Sequence, residues 1–289
     1  MILEHPHSNA FLLNRYLDSG NEAILSLIDK RARFEFIRSV REYNSISGTA
    51  HKIRFFGIDF EGRNAGQSAA YALKMIAALI NPPADHPLTG YLHAAADAKG
   101  KELESILQKM KIYIFTHEQE SRDLLKQYYT DILLITHAQF AFSSRRDKAM
   151  CDNFVRLYYE LKKQDENPRF FGSFGTGHVN PGNKNGIAMR IFYSADTSLQ
   201  KKVSVTAAQY LDCIFDSSAV KMAYNGSLNS LCGKNPVKLP DPYPESRTPN
   251  IMYVSGKELQ LRNCAYPAGI ISGVLVIRNF GASSFWSWE

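Results

Sequence analysis

The chain has 289 residues, 45% of them hydrophobic and 21% charged, with 18 glycines and 12 prolines, which excludes a disordered or fibrous protein and leaves one large globular domain or two ordinary ones. The formal net charge is +6 and the sequence pI about 9.0, but lysines and arginines are scattered and no basic-aromatic motif accompanies them, so a nucleic-acid partner is not expected. Cys151, Cys213, Cys232 and Cys264 lie far apart without metal-binding spacing and read as free thiols, while no apolar run approaches a membrane span and no leader pattern opens the chain, so a cytoplasmic protein is expected.

Met1-Ile2-Leu3 reads as a short strand ending at Glu4, and Ser8 or Asn9 is placed to cap a helix that carries Phe11, Leu12, Tyr16 and Leu17 on one face and stops at Gly20. Helical periodicity continues from Ala23 to Tyr43, broken near Asp29 to Arg33. Residues 52–60 form the next strand pattern, ending near Asp59, and a polar loop of residues 61–67 leads into a helix over Ser68 to Ile80. That strand-loop-helix unit puts an acid at the carboxyl end of a strand, where open α/β sheets keep their ligands. Residues 81–90 read as a proline-rich loop, and helices follow at 97–111 and 117–163, the latter broken near Ser143-Ser144, with Pro168 closing the helical half.

The remaining residues change in texture. Strand patterns occur at 169–174, 202–207, 212–216, 251–254 and 269–278, one helix at about 186–195, and residues 223–249 read as loop. The expected fold is α/β, with a central, largely parallel sheet wrapped by helices and a long helical insertion in the first half. It is read as one domain over 1–289, helix-rich in 8–165 and strand-rich in 168–289.

Gly175-Thr176-Gly177-His178-Val179, with Gly182 and Lys184, suggests a phosphate loop but fails the pattern, because no Gly-Lys-Ser/Thr follows and Asn180 replaces the third glycine of a dinucleotide fingerprint. What remains is a strand and a tight glycine turn presenting His178, a residue able to do acid/base or metal-ligand work. Glu4 and Asp59 each end an apolar run, and His5 and His7 flank Pro6 beside Glu4, a grouping that matches no established metal spacing. Residues 143–153 open a helix whose apolar face continues through Phe154, Leu157, Tyr158 and Leu161. His51, His86, His93, His117 and His137 read as surface or core residues, and no Gly-x-Ser-x-Gly elbow exists.

In order along the chain, Leu3-Glu4, the stretch NAFLLNRYLDSG (9–20), Phe36-Ile37-Arg38 through Asn44, Arg54-Phe55-Phe56-Gly57-Ile58-Asp59, and Arg146-Asp147-Lys148-Ala149-Met150 with Asn153, then His178, resemble the erythromycin esterase family. The likeness covers about residues 2–215, and its most specific part is RDKAM-CDN followed by FGTGHV. More distantly it extends to Tiki-type proteases and ChaN-type haem-binding proteins, whose Gly-x-x-His motif Gly175 to His178 matches. The resemblance implies hydrolysis of a small-molecule ester or lactone, a macrolide in the best-known members, by acid/base activation of water. It implies Glu4, His178 and Asp59 as catalytic residues, and His7, Arg146, Asp147, Asn153 and Gly175 as substrate-binding ones.

The family's opening Gly-Glu-x-His-Gly motif is absent, and Gly175 stands where the first histidine of the downstream pair belongs. A truncated or inactive member is one expectation, and a non-catalytic ligand-binding protein retaining the fold is another. No cofactor is expected, except that a hydrolase of Tiki type would take a divalent metal on Glu4 and His178.

Overall fold

The computed structural model describes residues 1–28, 34–46, 52–61, 66–137, 146–166, 168–179, 183–194, 196, 198–211, 250–255 and 271–278. The chain divides into two compact units, Met1–Ser173 and Phe174–Glu289.

In the first unit, β1 (Ile2–Pro6) runs straight into α1 (His7–Ser19). The helix is capped not at Ser8 or Asn9 but at Pro6, which makes no side-chain cap bond. Ser8 cannot cap because its backbone N–H and its hydroxyl both donate to the Glu61 carboxyl, at 3.1 and 2.8 Å. Phe11, Leu12, Tyr16 and Leu17 are buried as the periodicity requires. Gly20 ends the helix in the left-handed region, φ 71°, donating its N–H to Tyr16 O at 2.7 Å.

A 3-10 turn, Glu22–Leu27, and α2 (Phe34–Ser45) follow, while the break anticipated at 29–33 lies outside the described residues. β2 (Phe56–Asp59) is shorter than the expected 52–60 and leads to α3 (Gly66–Ile80). The proline-rich segment is loop only as far as His86, whose side chain accepts from Leu88 N and caps α4 (Pro87–Asp97), with Pro87 where its missing N–H costs nothing.

α5 (Gly100–Thr116) follows. The long helix expected over 117–163 is divided into α6 (Glu118–Leu125), a 3-10 turn at Lys126–Tyr128, α7 (Tyr129–His137) and α8 (Arg146–Lys162). The break comes at Lys126, which has φ 48° and ψ −123° and cannot continue a helix. Ser143 and Ser144 lie outside the described residues.

β1 is the middle strand of a small parallel sheet ordered β2-β1-β3, with β3 reduced to Gly172–Ser173. Its core is apolar: Leu3, Leu12, Ile37, Phe55, Ile58, Leu73 and Ile76 are fully buried. α1 packs on α3, α2, α7 and β2, and α8 packs on β2. The register of β1 slips between Leu3 and Pro6, and opposite the slip a Cβ on Gly57 would collide with the carbonyl groups of His5 and Pro6. Gly57→Ala is therefore expected to destabilise the protein by about 1–3 kcal/mol, measurable by urea denaturation. A change of less than about 0.5 kcal/mol would show that the two strands separate freely.

In the second unit, α9 (Thr176–Val179) is one helical turn, so the His178 segment is not the strand-borne glycine turn expected from sequence. α10 (Ile187–Phe192) packs Ala188, Met189 and Phe192 with Val205, Val179 and Val203 in a small core. A second sheet is ordered β4-β6-β5, from Val205–Leu211, Ile271–Arg278 and Asn250–Ser255, with β4 parallel and β5 antiparallel to β6. The described residues thus form two three-stranded sheets and not one large central sheet, and the fold is rich in helix. The strand expected at 212–216, the loop at 223–249 and Cys213, Cys232 and Cys264 lie outside the described residues. Among the described residues, no helix is long and apolar enough to cross a membrane.

Candidate active site

The strand order reverses at β1, and in open parallel sheets the crevice beyond the carboxyl ends at such a point is where ligands bind. Asp59, the last residue of β2, sits at that end of the sheet, whereas β1 does not end at Glu4 as expected but runs on to Pro6, which pairs with Asp59, so that Glu4 lies within the strand. Arg146, the first residue of α8, bridges the two carboxylates. Its Nε donates to Asp59 Oδ1 at 3.1 Å, and its Nη2 donates to Asp59 Oδ2 and, at 2.9 Å, to Glu4 Oε1.

Arg146 grips Asp59 with two prongs, and Glu4 is the more exposed of the two carboxylates, with its side chain 21% accessible against 9%. Asp59 is accordingly the main cause that pushes Arg146 upward, outweighing burial. The Phe60 ring lies 5.9 Å from the guanidinium carbon and closes its other side.

Asn153 stands seven residues after Arg146 on α8, which brings both to one face of the helix. It is buried and donates from Nδ2 to Ile58 O at 2.9 Å, fastening α8 to β2 one residue before Asp59. Asp147 occupies the first turn of α8, where a carboxylate suits the helix dipole.

His7 opens α1 and is wholly buried, its Nε2 2.9 Å from Asp131 Oδ1 on α7 and its Nδ1 3.2 Å from Gly57 O. Both neighbours are acceptors, so both bonds form together only when each ring nitrogen carries a proton. Stacking on Phe56 completes its enclosure. His7 thus braces the β1–α1 corner against β2 and α7 and does not face solvent.

Glu61 is the group that sequence reading passed over as part of a polar loop. Its side chain is buried, and burial pushes its carboxyl up to about 8 despite the two bonds from Ser8, with the Asp59 charge adding to the rise. Through Ser8 it supplies the first turn of α1 with the acceptor that Pro6 cannot offer.

The structure therefore brings Glu4, Asp59 and Arg146 together, with Asn153 behind them and His7 at the adjoining corner. His178 and Gly175 belong to the second unit. There the His178 N–H donates to Gly175 O at 3.0 Å, and Asn183 donates from Nδ2 to Gly177 O at 2.7 Å, holding the turn. Gly182 lies outside the described residues. Among the described residues, no group of three or more histidine, cysteine, aspartate or glutamate side chains is placed to hold a metal ion.

No protein-family model matches the chain, and no curated protein matches it. A crystal structure of a protein from Bacillus cereus aligns with 96% of this chain and 79% of its own, at 14% identity and a TM-score of 0.48.

Proposed function

We propose that the chain is an erythromycin-esterase-like hydrolase that cleaves a small-molecule ester or lactone by acid/base activation of water. The observation that carries this reading is the Arg146 bridge: the residue that opens the family-like Arg-Asp-x-x-Met-x-x-Asn helix joins Glu4 on β1 to Asp59, the last residue of the neighbouring parallel strand.

In that arrangement Asp59 fixes the guanidinium, and Arg146 supplies positive charge where an ester carbonyl oxygen becomes an oxyanion. Glu4, partly accessible, orients or polarises the attacking water. His178 assists proton transfer, a role that rests on the resemblance.

The test is hydrolysis of a panel of esters and macrolides by the wild type, Glu4→Gln and His178→Ala. A loss of about 10²–10⁴-fold in kcat/KM is expected for each variant, and equal rates for wild type and variant remove that residue from the mechanism. A second reading, a ligand-binding protein that has lost turnover, is favoured by Gly175 in place of the family's first downstream histidine. It predicts thermal stabilisation by the same compounds with no product formed.

A further inference from the structure

We propose that Glu61 is a positioning residue for the Arg146 site: its uncharged carboxyl clamps the exit of β2 to the first turn of α1 and keeps a further negative charge away from Arg146. This role rests on the hydrolase reading of the site. Three consecutive residues carry it. Asp59 takes two bonds from the Arg146 guanidinium, the Phe60 ring stands 5.9 Å from the carbon of the same group, and Glu61 receives the backbone N–H and the hydroxyl of Ser8 at 3.1 and 2.8 Å. Pro6, which pairs with Asp59 across the two strands, stands two residues before Ser8. The clamp thus joins two short segments, Pro6 to Ser8 and Asp59 to Glu61, beside the carboxylate that Arg146 grips.

The charge on Glu61 reaches that site through the chain itself, since two peptide steps put its Cα within about 7 Å of that of Asp59. Arg146 already faces two carboxylates, Asp59 and Glu4. A third would cancel more of the positive potential that the guanidinium offers to an oxyanion.

Burial keeps that third charge off. Glu61 is 2% exposed, and desolvation pushes its carboxyl up to about 8. The groups that act on its charge are Ser8, whose two bonds favour the carboxylate, and Asp59, whose own charge opposes it. On α1 the neighbouring His7 commits both ring nitrogens to Asp131 and Gly57 O, and on α8 Arg146 is turned to Asp59 and Glu4. Glu61 is therefore neutral at pH 7 and becomes charged as the pH rises through about 8, so the loss of function falls on the alkaline side.

The experiment is a titration of the whole chain from about pH 6 to about pH 10, as wild type, Glu61→Gln and Ser8→Ala. It follows ester hydrolysis and the carbon-detected NMR signal of Arg146 Nε, which needs no turnover. In the wild type kcat/KM is expected to fall about tenfold between pH 7 and pH 9, and the Arg146 signal to move over the same range. Glutamine cannot ionise, so Glu61→Gln is expected to abolish both changes. Ser8→Ala removes a bond that favours the carboxylate and is expected to move both midpoints to higher pH, a direction that mere loosening of the fold does not produce. If Glu61→Gln does not fold, Ser8→Ala decides alone. An Arg146 signal that stays fixed in the wild type, a titration that persists in Glu61→Gln, or a midpoint unmoved or lowered in Ser8→Ala overturns the proposal, whether or not an ester is turned over. A Glu61-dependent Arg146 signal with no ester hydrolysed upholds the clamp and removes the hydrolase reading instead.

Discussion

Glu61→Gln is expected to raise stability at pH 9 by an amount on the order of a few kcal/mol and to leave it almost unchanged at pH 4. In the unfolded chain this carboxyl ionises near its ordinary value of 4.5, whereas burial holds it protonated in the fold up to about 8. Between those values the folded state binds the extra proton, so rising pH works against folding across that window. Below it both states are protonated, and above it both are ionised, so the penalty is complete and constant.

Glutamine has the shape of the neutral acid. Its Oε1 can accept from Ser8 N–H, and its amide can donate to the Ser8 hydroxyl, which preserves both contacts of the first turn of α1. Denaturation curves of the two proteins at pH 4 and pH 9 measure the difference. Parallel pH profiles would mean that the carboxyl is already ionised in the fold at neutral pH.

Arg146→Met is the second large effect, expected to cost about 2–3 kcal/mol at neutral pH. The figure lies below that for a fully buried pair because the Arg146 side chain is about a third accessible. Methionine fills much of the volume, so the loss is electrostatic: Asp59, almost buried, and Glu4 are left facing each other without the cation between them. Adding Glu4→Gln to Arg146→Met should therefore recover part of the loss, although Glu4→Gln alone is neutral or destabilising. That non-additivity is read from a double-mutant cycle. Strictly additive energies would show that the bridge carries no coupling.

The sequence signals that proved informative were those in which position along an element implies position in space. A carboxylate ending an apolar run marked Asp59 as the last residue of β2, whereas β1 runs past Glu4 to Pro6. Arg146 and Asn153, seven residues apart on a helix, were bound to share a face, although nothing local said that one would grip carboxylates and the other a strand carbonyl.

The bonds that stayed hidden span the chain. Ser8 meets Glu61 53 residues away, and His7 meets Asp131 124 residues away. No periodicity reports such a pair, and the Ser8 bond is also why a good capping residue does not cap. The start of α4 was missed for a related reason: proline is a loop signal in general but suits the first turn of a helix, and His86 is not among the usual capping residues. The single central sheet was inferred from strand patterns alone, which do not say with which strand each will pair, and among the described residues the pairing resolves into two small sheets.

Because Arg146 and Asn153 hold β2 from one side of α8, their grips lie about 10 Å apart along the helix axis. The spacing between them is therefore constrained more tightly than the residues that fill it. Replacing Lys148 or Asp152, both exposed, leaves the two anchors where they are. Deleting one residue between them turns one anchor by about 100° relative to the other, so that α8 can hold Asp59 or the Ile58 carbonyl but not both.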